Sequence, residues 1–106
     1  MATITSSGRI IEVNDEGFLA HPEAWDRVVA EILAKDQEGL DSLTDEHWTV
    51  INFIRQYYLE NGNAPMVRNL CKATQSSLKR IYELFPSGPA KGACKLAGLP
   101  KPDGCV

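Results

Sequence analysis

The chain has 106 residues, 43% of them hydrophobic and 24% charged, with a formal net charge of −3. These proportions are those of an ordinary globular domain and exclude a collagen-like or wholly disordered chain. No apolar run reaches the roughly 20 residues a membrane-spanning helix needs, so no membrane insertion is expected.

A chain of this length makes one domain and buries about two-thirds of its unfolded surface. That is too little to enclose a large substrate cavity, so the work should fall to a surface or to an end. The start, MATITSSGRI, lacks a basic stretch followed by an apolar one, which predicts no signal peptide. Three cysteines, Cys71, Cys94 and Cys105, form an odd set. An odd set without a signal peptide points to reduced thiols in the cytoplasm rather than a secreted disulfide scaffold. There is no CxxC, and His21 and His47 lie far from the cysteines, so zinc is not expected.

In chain order, Ile4, Ile10, Ile11 and Val13 flank Ser6-Ser7-Gly8, two short β-rich runs around a glycine turn that read as a hairpin. Asn14-Asp15-Glu16-Gly17 is a second turn, after which Phe18 and Leu19 can extend the pairing. A lone hairpin is marginal in water, so it must pack on the rest. His21-Pro22 opens a helix with proline at its first position. Trp25, Val28, Val29, Ile32 and Leu33 then make one apolar stripe, and Gly39 ends the segment.

Thr44 is the N-cap of a second helix with Asp45 and Glu46 in its first turn. Its apolar residues, from Trp48 to Tyr58, cover more than one face, which places it centrally, and Asn61-Gly62-Asn63 stops it. Pro65 opens a short third helix through Leu70 to Ala73. Ser76 or Ser77 caps a fourth bearing Leu78, Ile81, Tyr82, Leu84 and Phe85. Pro86-Ser87-Gly88-Pro89 breaks the chain. Ala90 to Ala97 forms a fifth helix ended by Gly98, and the tail LPKPDGCV, with two prolines and a glycine, cannot be a regular helix.

The predicted architecture is mostly α (α+β). It is a small orthogonal helical bundle with a helix-turn-helix-like part, an N-terminal β-hairpin and a flexible C-terminal arm. Residues 1–20 are the hairpin region, 21–98 the helical body and 99–106 the arm. Charge is uneven along it. Residues 1–64 hold four basic side chains against twelve carboxylates, a net of −8, whereas residues 65–106 hold seven against two, a net of +5. Such halves attract each other across one fold, or leave a basic surface for an anionic partner.

The thiols carry the chemistry. Cys105 is the penultimate residue on a proline-stiffened arm, where packing gives a cysteine little reason to be. Cys94 lies eleven positions earlier, and Gly98 and Gly104 let the arm fold back. A disulfide closing a loop of this size is worth ~3 kcal/mol in the chain-entropy model, and it would be open to reductant. The same spacing can hold an added sulfur atom as a trisulfide. Lys91, Lys95 and Lys101, with Arg80, are candidates for stabilising a thiolate or docking a partner, while Cys71 reads as a small core residue.

The segments EVNDEGFL, EHWTVINFIRQYY, NGNAPMVRNLCKAT and GPAKGACKLAGLPKPDGCV together resemble the DsrC family of dissimilatory sulfite reductase gamma subunits over nearly the whole chain. The resemblance implies a sulfur-carrying co-substrate rather than a catalyst by itself. Its arm enters the reductase formed by the α and β subunits and brings Cys105 near the siroheme. Cys94 resolves the reaction as a trisulfide, and a membrane complex with a heterodisulfide-reductase-like subunit reduces it. The chain needs no cofactor of its own, because siroheme and the iron–sulfur cluster belong to the partner. SSLKRIYELFP lacks the short insertion of sulfur-oxidiser versions, which leans toward reduction.

The related TusE proteins, which relay sulfur for tRNA 2-thiouridine synthesis, keep only the penultimate cysteine, so a TusE-like relay is the alternative. A DNA-binding helix-turn-helix over residues 65–85, with Arg68, Lys72, Lys79 and Arg80 on phosphates, is disfavoured by the acidic composition. An independent thiol oxidoreductase would lack a CxxC motif.

Overall fold

A computed structural model describes residues 2–6 and 8–100, without the side chains of Ala2, Ala90 and Lys91. The hairpin is present: β1 (Ala2–Ser6) and β2 (Arg9–Val13) pair antiparallel, with Ile4 opposite Ile11 and Ser6 opposite Arg9. The alternation of β2 buries Ile11 and Val13 and leaves Ile10 exposed. The second turn is held by the Asn14 side chain, whose Oδ1 accepts from the amides of Glu16 and Phe18. Val13 and Leu19 then form the extra bridge that carries the chain back across β2.

Pro22 does not open the first long helix. Residues Pro22–Ala24 form a single 3₁₀ turn, and α1 (Arg27–Glu38) starts later. Asp26 sets that start: its carboxylate accepts from the Val29 amide at 2.9 Å and pairs with Arg9 at 3.0 Å. Trp25 is therefore outside the helix, and the inner stripe is Val29, Ile32 and Leu33, with Val28 exposed. Gly39 ends α1 in the left-handed conformation, φ +69°.

Helix α2 (Asp45–Asn61) begins at Thr44 as the sequence indicates, with a feature the pattern did not reveal. His47 occupies the third helical position, where Glu is usual, and completes a capping box. Its Nδ1 accepts from the Thr44 amide at 3.0 Å, which leaves the ring proton on Nε2 to be donated to the Leu84 carbonyl at 2.8 Å. This buried imidazole ties α2 to α4 and meets Phe85 edge-on.

Helix α3 (Val67–Thr74) starts two residues after Pro65, and α4 (Leu78–Leu84) is capped by Ser77 accepting from Arg80. Residues 75–77 make a tight helix-turn-helix-like link, with Gln75 in the left-handed region at φ +55°. Ile81 and Leu84 face the core, whereas the apolar Leu78 and Tyr82 are exposed. A four-three spacing supplies two faces of a short helix, and only one meets the body.

The last helix, α5, is π-helical over Pro89–Cys94 and continues for two α-helical residues. Helix α2 packs against both α3 and α5. The core joins Ile11, Val13 and Leu19 of the hairpin region to Leu33, Ile51, Ile54, Leu70, Ile81, Phe85, Cys94, Leu96 and Leu99. Leu99 is 1% exposed. It belongs to the body, so the boundary expected after Gly98 moves one residue on.

Candidate functional site

Cys94 sits in the last turn of the π-helical segment. π-helical turns are rare and tend to occur at functional sites. The segment packs closely because Gly92 carries no side chain. A Cβ there would lie 2.7 Å from Glu38 Oε1 and 2.9 Å from Phe85 Cβ. Glu38 in turn accepts from the Ser87 amide at 3.0 Å, fixing the loop that precedes α5 to the end of α1. The Cys94 thiol is free and 2% exposed. Desolvation disfavours the thiolate and pushes the thiol up to about 12.

The end of α5 is more completely capped than its length would suggest. Its chain leaves through a Schellman turn: Gly98, at φ +78°, donates to the Lys95 carbonyl at 3.0 Å, and Leu99 donates to the Cys94 carbonyl at 3.2 Å. The next two carbonyls are taken by remote side chains. Trp25 Nε1 donates to Leu96 at 2.7 Å. Arg55 donates through one Nη to Ala97 at 3.3 Å and through the other to Pro22 at 2.9 Å. The Arg55 guanidinium lies 4.9 Å from the Trp25 ring centroid, and its burial lowers its pKa from the ordinary value. Sequence reasoning assigned Trp25 to a helix stripe and gave Arg55 no role. The readable hint was Asp26, a preferred N-cap residue that puts Trp25 before the helix.

Among the basic residues expected near the thiols, Arg80 is occupied elsewhere. Its Nε donates to Glu46 Oε2 at 2.9 Å and its Nη1 to Glu83 at 3.3 Å, and these carboxylates raise its already high pKa. Lys95 is 7% exposed with its ammonium 5.2 Å from the Phe18 ring centroid, beneath the turn at Gly17. Neither charge acts on Cys94 among the described residues; burial alone sets its pKa. Of the four cations that the sequence offers for stabilising a thiolate or docking a partner, the structure places Arg80 and Lys95 away from the Cys94 thiol. Their nearest partners are carboxylates and an aromatic face. The Lys91 side chain, Lys101 and Cys105 lie outside the described residues.

Cys71 is half-buried and packs against the core, as its reading as a small core residue implies. Among the described residues no group of three or more His, Cys, Asp or Glu side chains is placed to hold a metal. No helix is long and apolar enough to cross a membrane.

A family model described as "DsrC like protein" matches residues 5–106. The chain belongs to the DsrC-like family. It is 50% identical to the gamma subunit of dissimilatory-type sulfite reductase from Nitratidesulfovibrio vulgaris, over the full length of both. It is also similar to the sulfurtransferase TusE of Photorhabdus laumondii, at 40% identity over the full length of both. Among solved structures, the oxidized gamma subunit (DsrC) of the Archaeoglobus fulgidus sulfite reductase superposes with a TM-score of 0.90. That match has 44% identity and covers 99% of this chain and 100% of that one. The mostly α fold with its N-terminal hairpin is thus a DsrC-like fold.

Proposed function

We propose that this chain is a sulfur carrier and a co-substrate of dissimilatory sulfite reductase, with Cys105 as the acceptor of sulfite-derived sulfur and Cys94 as the resolving thiol. The observation that carries the reading is the pair itself. A second thiol, Cys94, lies eleven positions before the penultimate residue, Cys105, in a chain 50% identical to a reductase gamma subunit. The partners are the α and β subunits, which hold the siroheme and the iron–sulfur cluster. A membrane complex with a heterodisulfide-reductase-like subunit closes the cycle in the cytoplasm.

Burial orders the two thiols. Cys94, protonated and 2% exposed, is a poor first nucleophile. Sulfur capture falls to Cys105, and Cys94 enters after its cover opens. The balance is explicit. Sulfur at oxidation state +2, as a reductase-bound H2SO2 equivalent, reacts with two thiols to give a trisulfide and two waters. The thiols supply two electrons and the central sulfur reaches zero. Four electrons from the membrane complex then cleave the trisulfide to sulfide and two thiols, so with the two spent at the siroheme all six electrons are accounted for.

The test is mass spectrometry of the protein after turnover with sulfite reductase and sulfite. The expected species is heavier by one sulfur and lighter by two hydrogens, and it disappears in both Cys94→Ala and Cys105→Ala. Its persistence in either variant contradicts the paired role. The second reading, a relay of sulfur for tRNA 2-thiouridine synthesis, is favoured by the 40% identity to TusE. Sulfur transfer that survives Cys94→Ser and fails in Cys105→Ser would select it.

A further inference from the structure

We infer that Glu38 and Ser87 are positioning residues for Cys94: the clasp between them holds the start of the π-helical segment on the body and sets how often the thiol leaves the core. The inference rests on the reading above that Cys94 must come out to react.

The two ends of α5 are held unequally. At its C-terminal end the carbonyls of residues 94 to 97 all have partners, from the turn at Gly98 and Leu99 and from Trp25 and Arg55. The chain leads into α5 through Pro86-Ser87-Gly88-Pro89, where the prolines carry no N–H and only Ser87 and Gly88 can donate from the backbone. Gly88 donates to the Phe85 carbonyl at 2.7 Å, a bond within the same turn. Ser87 donates to Glu38, its amide to Oε1 at 3.0 Å and its hydroxyl to Oε2. Among the described residues this carboxylate, at the end of α1 and 49 positions away, is the one remote hydrogen-bond partner of that stretch.

The same carboxylate bears on the helix itself. Glu38 Oε1 lies 2.7 Å from where a Cβ of Gly92 would stand. Gly92 precedes Cys94 by two residues, and residues so spaced on a helix point to different sides. Glu38 therefore grips one side of the segment while Cys94 is set in the core from another. Freed of the clasp, the start of the segment can swing away about its firmly capped C-terminal end and carry Cys94 out with it. Such a local opening requires less free energy than unfolding the whole chain.

The readout is the rate at which iodoacetamide labels Cys94 in the reduced full-length protein, at fixed pH and at several urea concentrations below the unfolding transition. Peptide mass mapping separates Cys94 from the other thiols. Glu38→Ala removes both acceptors and should raise the rate about tenfold, within the range of two ordinary hydrogen bonds. Ser87→Ala removes only the hydroxyl donor and should raise it about threefold. Glu38→Gln keeps an acceptor for the Ser87 amide and should restore most of the protection. The raised rates should be nearly independent of urea, because a local opening exposes little new surface, whereas labelling through global unfolding climbs steeply with it.

A rise under about twofold in Glu38→Ala, the size of an ordinary surface effect, overturns the inference and leaves the carrier reading standing. So does a rise that follows urea as steeply as global unfolding, since the clasp would then add only to overall stability. If Glu38→Ala does not fold, Ser87→Ala, at an exposed position, decides by the same two criteria. Labelling as expected, with no added-sulfur species after turnover with sulfite reductase and sulfite, supports the clasp and overturns the carrier reading alone.

Discussion

Burial keeps the proton on Cys94 far above the usual thiol range, up to about 12, and this couples its titration to folding. The folded pKa is raised above the unfolded one, so the contribution to stability is complete below about pH 8.5 and is lost as pH climbs toward the folded value. The loss from this one proton is about 1.4 kcal/mol per pH unit in that window. Urea midpoints measured from pH 8 to 11 should therefore fall more steeply for the wild type than for Cys94→Ala, and parallel slopes would show that the thiol titrates in the folded state as it does in a peptide. The sequence marks Cys94 but does not show what surrounds it. Lys95 follows Cys94 in the chain, yet neighbours on a helix point in different directions, and its ammonium ends over Phe18. Arg80, a candidate for the thiols in the sequence, is held by Glu46 and Glu83.

Among the elements, the helix ends are where the sequence speaks most clearly and also where it leaves something out. Thr44, Ser77, Gly39, Gly62 and Gly98 all act at the termini they suggest, because a cap is a local arrangement of a few backbone groups. Asp26 is equally local but was masked by the Pro22 signal and the apolar spacing of Trp25. Its carboxyl is held below the ordinary range, first by the Val29 amide and also by Arg9. The stability this lends is present at neutral pH and disappears as acidification protonates the group, below the usual carboxylate pKa of about 3.9. Asp26→Ala should cost about 1 kcal/mol at pH 7 through the lost cap. Asp26→Asn, which retains an acceptor for Val29 and loses only an exposed ion pair, should cost a few tenths of a kcal/mol. Thermal denaturation of the two variants separates cap from charge, and equal losses would assign the whole effect to Arg9. His47 in the capping box and the π-helical run of α5 had no such local signature: one depends on the Leu84 carbonyl 37 positions away, the other on Glu38 and Phe85 closing over Gly92.

At the scale of the whole molecule, the two oppositely charged halves meet in the exposed pair of Arg80 with Glu46, while Arg68, Lys72 and Lys79 stay exposed on α3 and α4. Charge asymmetry was thus visible in the sequence, but whether it is spent inside the fold or offered outside depends on which faces pack. The end of the last helix was visible in the sequence, since Gly98 reads as a helix stop. What composition could not show is that the stop is a Schellman turn whose following residue, Leu99, closes the core against Cys94's own helix. A comparison of two shortened chains locates that boundary. Ending the chain at Pro100 keeps Leu99 buried and both turn hydrogen bonds, whereas ending it at Ala97 removes them. Burying a leucine is worth about 1.5–3 kcal/mol, and each lost bond adds about 0.5–1.5 kcal/mol. The shorter chain should therefore be less stable than the longer by roughly 3 kcal/mol in urea unfolding. A difference under about 1 kcal/mol, within the range of ordinary surface changes, would mean that Leu99 belongs to the tail, where the sequence alone would put it.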